Sequence, residues 1–247
     1  MSFAATSGSG ALLKQALRRG HDLLSAGLLT PLLRHERSHP PQVLSERLVE
    51  YATALRWISE RYPRTLLDVG PGVSSWPHLL AAAGVQVTAL DQMDSYWGRR
   101  LFNRHFALSR GDITQRRLKP MFDAVTCIST LEHIPDHRAA FAGMMDSLVP
   151  GGFLILTCPY NERDFYDNVY AEQGASYGAD YEFICRQYSR RELDAWLEDT
   201  GGELVEAERW RFFTGGFWTE GQRMPKPTPA HADESHQIGC FLIRKGS

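Results

Sequence analysis

Residues 65–79 read Thr-Leu-Leu-Asp-Val-Gly-Pro-Gly-Val-Ser-Ser-Trp-Pro-His-Leu. A short apolar run carries Asp68 near its end, Gly70 and Gly72 permit a tight turn, and a helix is expected next. Glycine lacks a Cβ, so backbone there can approach a ligand closely. A helix opening behind such a turn leaves N–H groups directed at the same point. Strand, glycine turn and helix together make the nucleotide-binding corner of a doubly wound α/β fold.

Outward from this corner the pattern repeats. Strands are predicted over 65–69, 85–90, 107–110, 122–128 and 153–157. Helices are predicted between them over 76–83, 96–106 and 136–148. Alternating strands and helices imply a parallel sheet covered on both faces. Residues 161–187 break the rhythm; they are rich in Tyr, Asp and Glu without a period, as expected of a functional loop or lid. Ser189-Arg190-Arg191-Glu192 is a capping box opening a helix to about residue 198. A strand over 203–213, an irregular loop over 215–234 and a last strand over 238–244 complete the chain. The expected fold is Rossmann-like, a doubly wound, mostly parallel seven-stranded sheet with an antiparallel last strand, plus N-terminal helices. Residues 1–44 read as a helical extension or lid, with leucines at helical steps over 11–33 and a proline-containing linker at 35–42. Residues 45–247 read as the main domain, with substrate-loop insertions at about 161–187 and 214–236. Its first helix, 45–61, is expected to bury Leu48, Tyr51, Ala52, Leu55 and Ile58, and Pro63 to end it.

Composition bounds the function. The 247 residues are 43% hydrophobic with a formal net charge of −2, which supports an ordinary core and gives duplex nucleic acid no electrostatic reason to bind. Arginines cluster locally, at Arg99-Arg100 and Arg116-Arg117. Cys127, Cys158, Cys185 and Cys240 form no Cys-x-x-Cys pair and read as buried free thiols in a reducing compartment. Neither a membrane-spanning stretch nor a secretory signal pattern is legible, so a cytoplasmic location without membrane insertion is expected.

The lone Gly-x-Gly does not choose a cofactor. A dinucleotide site carries a third glycine where this chain has Ser75. Asp91, nineteen residues after Gly72 and at the end of the second strand, suits a carboxylate that accepts hydrogen bonds from ribose hydroxyls. NAD and S-adenosylmethionine both present that ribose. Together with four further segments, this stretch resembles the class I S-adenosylmethionine-dependent methyltransferases, near their ubiquinone and sugar methyltransferase group. Leu67-Asp68-Val69-Gly70-Pro71-Gly72 is similar to that family's first motif, and Asp91 to its ribose-binding acid. Gly111-Asp112-Ile113 resembles the segment that receives the adenine amino group. Phe122 through Ile134 resembles the fourth motif, and Leu148-Val149-Pro150-Gly151-Gly152 the turn before the fifth strand. The resemblance implies S-adenosylmethionine as cofactor, S-adenosylhomocysteine as its product, and contacts from Asp68, Gly70, Gly72, Ser74, Asp91, Gln92, Asp112, Ile113, Ser129 and Leu131. Ser74 departs from the family's third glycine and adds a hydroxyl beside the methionine part. On physical grounds, the cofactor's carboxylate suits the helix N-terminus behind the turn, its ammonium suits Asp68, and Trp76 or Trp97 could pack or lie over a cationic group.

Methyl transfer asks the protein to position an acceptor and exclude water, and an oxygen acceptor also needs a base. His133 and Glu132 are the candidate catalytic residues at the carboxyl edge; the alternative for His133 is a helix-start residue that packs beside the cofactor. His133 and His137 are four apart but Pro135 interrupts their helix, and no metal is expected. Cys158-Pro159-Tyr160 follows the fifth strand and is therefore no amino-group DNA methyltransferase signature, although Tyr160 can wall an acceptor pocket. Tyr160, Tyr166, Tyr170 and Arg186 are the candidate substrate residues. The expected partner is a small-molecule acceptor: a hydroxyl of a sugar, polysaccharide precursor or natural product. N- or C-methylation of a small metabolite, and a non-catalytic partner subunit suggested by Ser74, are the alternatives.

Overall fold

The computed structural model describes residues 16–20, 23–24, 45–72, 74–92, 106–115 and 122–246. The chain divides into two compact units, Met1–Ser45 and Glu46–Ser247. Within the first, residues 16–20 and 23–24 are helical. Trp97, Arg99, Arg100, Arg116, Arg117 and the helix expected at 96–106, apart from Phe106, lie outside the described residues.

The second unit is built on α1 (Arg47–Arg61), β1 (Thr65–Val69), α2 (Trp76–Ala82), β2 (Gln86–Asp91), β3 (Ala107–Arg110) and β4 (Phe122–Ile128). It continues through α3 (His137–Asp146), β5 (Leu148–Pro159), α4 (Arg190–Thr200), β6 (Gly202–Phe213), β7 (Arg223–Pro229) and β8 (Ile238–Lys245). Among the described residues the strands form one sheet in the order β3-β2-β1-β4-β5-β8-β6-β7. β1 to β5 run parallel, and β8 enters antiparallel between β5 and β6. The sheet thus has eight strands where seven are expected. The extra one, β7, comes from the segment that reads as an irregular loop. Pro225, Pro227 and Pro229 hide it, because proline cannot donate to a ladder and reads as a breaker. Ala230 N–H donates to Arg209 O at 2.9 Å, toward β6. Alternation then turns the ring nitrogens of Pro227 and Pro229 toward the outer edge, where missing donors discourage further pairing.

Strand order reverses between β1 and β4, which opens a crevice at their carboxyl ends. The sheet interior is apolar on both faces: Leu66, Leu67, Ala124, Val125, Leu154, Ile155 and Leu156 are fully buried. α1 packs on it through Glu50, Thr53, Ala54, Trp57 and Ile58. This corrects the expected face, since Leu48 is 63% exposed while Glu50 is 0% exposed. Burying Trp57 contributes about 2–3 kcal/mol, and its indole N–H is satisfied by Glu206 at 2.9 Å. Tyr62 ends α1 in the left-handed region (φ 53) and its N–H returns to Ile58 O, after which Pro63 blocks continuation. The capping box of α4 is present, with Ser189 N–H donating to the Glu192 carboxylate at 3.1 Å.

Gly143, inside α3, shows how packing overrules propensity. Alanine would favour the helix there by about 1 kcal/mol. A Cβ, however, would stand 2.1 Å from the backbone carbonyl oxygen of Ile113. Overpacking against rigid backbone costs about 1–3 kcal/mol. Gly143→Ala is therefore expected to lower the urea midpoint without changing the m-value, measured by equilibrium unfolding.

Candidate active site

The turn after β1 is shaped by two glycines with positive φ, Gly70 (+68) and Gly72 (+52). A Cβ on Gly70 would meet Thr130 Cγ2 at 2.1 Å, and Thr130 Oγ1 donates to Gly70 O at 2.9 Å. The carboxyl ends of β1 and β4 are thus in direct contact, and only glycine fits between them. Gly72 is different: a Cβ there would meet no atom of the described residues within 4 Å. Its N–H donates to Asp91 Oδ2 at 3.0 Å, which ties the end of β2 to the turn. Ser74 N–H closes the turn on Pro71 O at 3.0 Å.

Asp68 sits beneath this turn, 1% exposed. Thr126 Oγ1 donates to Asp68 Oδ1 at 2.8 Å, and Trp76 Nε1 donates to Thr126 Oγ1 at 3.3 Å. Asp68 Oδ2 is buried, and among the described residues no hydrogen-bond partner reaches it. Burial, reinforced by the Asp91 charge and opposed by the Thr126 hydrogen bond, pushes the Asp68 carboxyl up to about 7. Trp76 is a buried support; its ring stacks on Tyr51 of α1 at 4.7 Å. The remaining predicted cofactor residues surround the crevice unevenly. Asp112 Oδ1 accepts from Thr114 N–H and Oγ1 at 2.8 and 2.7 Å, fixing the turn after β3. Ile113 and Leu131 are buried in the core, whereas Gln92 is exposed.

Beyond the end of β4 lies a cavity of about 330 Å³. Ser129, Glu132 and His133 form one wall, Tyr170, Tyr177 and Tyr181 another, and Arg47, Trp218 and Arg223 close it. Ser129 has φ 41, an uncommon conformation for a residue with a side chain. A buried network pins it. The Glu50 carboxylate accepts from Ser129 Oγ, from Thr157 Oγ1 at 2.7 Å and from Arg47 at 2.8 Å. Nothing in the apolar pattern of α1 points to Glu50; the usable signal is the Arg47–Glu50 spacing of three.

His133 Nδ1 lies 2.6 Å from Ile184 O. A carbonyl only accepts, so Nδ1 carries the hydrogen and Nε2 keeps its lone pair. Desolvation lowers the His133 pKa from its ordinary value, which leaves the ring neutral at pH 7. Glu132 is 2% exposed and desolvation pushes its carboxyl up to about 8. Of the predicted substrate residues, Tyr170 lines the cavity. The others lie outside its lining. Tyr160 is fully buried, with its hydroxyl donating to Glu162 at 2.9 Å and its ring edge-on to Phe241. Tyr166 packs on Phe217 at 5.1 Å. Arg186 is spent on Asp167 at 2.9 Å and Ile134 O at 2.8 Å. His137 Nδ1 accepts from Trp196 Nε1 at 3.1 Å and serves packing.

A sequence family described as a methyltransferase domain matches residues 34–207. The chain is similar to a ubiquinone biosynthesis O-methyltransferase of Pseudomonas paraeruginosa, 29% identical over 169 residues, covering 62% of this chain and 71% of that one. In fold it is similar to an N-methyltransferase from Bradyrhizobium japonicum solved with S-adenosyl-L-homocysteine, at TM-score 0.54 and 18% identity, covering 82% of this chain and 88% of that one. It is also similar to the 1,6-didemethyltoxoflavin-N1-methyltransferase of Burkholderia thailandensis, solved with 1,6-didemethyltoxoflavin and S-adenosylhomocysteine. That likeness has TM-score 0.56 and 17% identity, covering 100% of this chain and 93% of that one.

The Asp68 shift has a measurable sign. A carboxyl raised on folding contributes stability that is complete below its unfolded value and is lost as pH rises through the folded value near 7. Asp68→Asn removes that loss. The melting-temperature difference, variant minus parent without ligand, is expected to grow from pH 4 to pH 8. A flat difference would show that Asp68 is not strained by burial.

Proposed function

The chain belongs to the methyltransferase-domain family, and from that premise we propose that it transfers the methyl group of S-adenosylmethionine to a hydroxyl oxygen of a small molecule. The donor set suits this cofactor. Asp68 Oδ2, without a partner among the described residues, offers an anionic partner to its ammonium, and no described residue crowds the Cβ position of Gly72, which suits close approach of the ligand to that backbone. Asp91, at the end of β2 and accepting from Gly72 N–H, would accept from the ribose hydroxyls. Gly70 and Ser74 shape the same turn. Gln92, Asp112 and Ile113 would border the adenosine, and Ser129 and Leu131 the reacting end. Bound S-adenosylmethionine supplies an activated methyl; every other requirement falls to the chain itself.

The observation that carries the oxygen reading is His133. Its Ile184 contact fixes a tautomer whose Nε2 lone pair can take the proton of an acceptor hydroxyl, and burial keeps the ring neutral to do so. Glu132, held up near 8, carries a proton at neutral pH and is the poorer base. The walls suit a neutral hydroxylated ring, such as a sugar, a polysaccharide precursor or a natural-product intermediate. Tyr170, Tyr177 and Trp218 give aromatic faces, while Arg47, Glu46 and Arg223 give hydrogen-bonding edges. Relatives named as O-methyltransferases support the same acceptor atom.

Two measurements test this. Asp91→Ala is expected to weaken S-adenosylmethionine binding by roughly ten-fold or more in calorimetry, the loss of charge-assisted hydrogen bonds. His133→Ala is expected to leave that binding intact but to lower kcat by roughly 10²–10⁴ with hydroxylated acceptors and radiolabelled cofactor. The parent's rate should fall with acid, on a limb below the ordinary imidazole value of about 6.5. Equal turnover by His133→Ala would remove the base and favour an amine acceptor.

A further inference from the structure

One polar atom of the cavity wall has no task in this mechanism. Glu132 Oε2 is buried, and among the described residues no hydrogen-bond partner reaches it. Glu132 nevertheless lines the cavity. Its backbone is fixed, because Arg186 N–H donates to Glu132 O at 3.1 Å and ties the turn to the 161–187 insertion. Beside it, 3.9 Å from Oε1, stands His133 Nε2 with its lone pair.

We propose that Glu132 is a specificity residue acting as a neutral carboxylic acid, which donates a hydrogen bond to a lone pair on the acceptor next to the group held by His133. The proposal rests on the methyl-transfer reading of this cavity and goes beyond it by assigning what the acceptor must offer.

Burial is the main reason that Glu132 holds a proton; Glu50 and Glu46 reinforce it, while Arg47 and a hydrogen bond from the residue's own backbone N–H oppose it. From α1 and the residue before it come Glu46, Glu50 and Arg47, and Arg47 is already engaged by Glu50 at 2.8 Å. From β4 and β5 beneath come the thiols Cys127 and Cys158, both fully buried. From the 161–187 insertion come Tyr170, Cys185 and the cation Arg186, followed by Tyr188; the Arg186 guanidinium is turned to Asp167 at 2.9 Å and Ile134 O at 2.8 Å. A lone carboxylate in such a place is costly, so the group keeps its proton, in line with its rise to about 8. A buried carboxylic acid held neutral in this way is a hydrogen-bond donor at physiological pH.

A donor at Glu132 and a lone pair at His133 then sort acceptors. A neutral hydroxyl, which both donates and accepts, can satisfy the pair. An ammonium group offers only donors and leaves Glu132 unmatched. The cavity therefore selects neutral hydroxylated acceptors against cationic amines.

Phenol tests this, because its hydroxyl stays protonated from pH 6 to pH 9, well below a phenolic pKa of about 10. Binding is measured calorimetrically in the presence of saturating S-adenosylhomocysteine. For the parent, the dissociation constant should rise about ten-fold between pH 7 and pH 9 as Glu132 loses its proton. Glu132→Gln keeps a donor, and should bind within about three-fold of the parent at pH 7 with little pH dependence. Glu132→Ala should bind at least about ten-fold more weakly. Benzylamine should bind more weakly than phenol to the parent at pH 7. The proposal is overturned if Glu132→Gln binds as poorly as Glu132→Ala, if the parent tightens on phenol as pH rises, or if phenol does not bind. Should a variant prove unstable in a thermal melt, the parent's own pH profile decides. Failure of the parent to bind S-adenosylhomocysteine would instead defeat the methyl-transfer reading itself.

Discussion

Taking a carboxyl group out of water is costly unless something replaces the lost hydration, and this fold does so three times along one edge of its sheet. Glu50, Asp68 and Glu132 are each at most 2% exposed. Each meets the constraint differently. Glu50 is neutralised by Arg47 and held by two hydroxyls. Asp68 has one oxygen satisfied and one without a partner among the described residues. Glu132 has an orphaned oxygen and retains its proton near neutrality. Structural need explains only the first. The other two each keep an oxygen without a partner among the described residues, and the proposed ligand site rests on those two atoms.

The arrangement of the edge follows from backbone sterics. Gly70 lets the end of β1 press against Thr130, so the loops after β1 and β4 meet at the switch point of the sheet. Ser129, one residue earlier, is held at positive φ by Glu50. α1 therefore works as more than a cover for the sheet. Its first turn braces the loop that carries Glu132 and His133, and the same turn lends Arg47 to the cavity. Removal of any member would leave a buried charge or an unpaired hydroxyl, which links fold stability to the geometry of the site.

The two insertions form a joint roof. Gln187 Oε1 accepts from Trp218 N–H at 2.6 Å, and Ser176 N–H donates to Thr219 O at 2.8 Å. Gln237 adds a second strut by accepting from both Phe212 and Phe213 N–H. Tyr170 is pressed into place from below by Gly178, where a Cβ would come within 2.1 Å of its ring. Loops that would otherwise be mobile are thereby given fixed aromatic walls.

Local chemistry was enough, in the sequence alone, to read the glycine turn, the parallel strands β1 to β5, the antiparallel last strand and the placement of Asp91 beside the turn. Each of these depends on residues close in sequence: period, breakers, and the absence of a Cβ at Gly70. Tertiary structure alone decided the rest. Three prolines disguised β7, whose existence depends on pairing with β6. Leucine spacing misassigned the buried face of α1, because Glu50 becomes a core residue only when Ser129 and Thr157 arrive from β4 and β5. Residue type made Tyr160, Tyr166 and Arg186 resemble substrate contacts; in the fold Tyr160 bonds Glu162 and packs on Phe241, Tyr166 packs on Phe217, and Arg186 pairs with Asp167. Patterns report what a segment can bury; which polar atoms are left without partners is settled only when the segments meet.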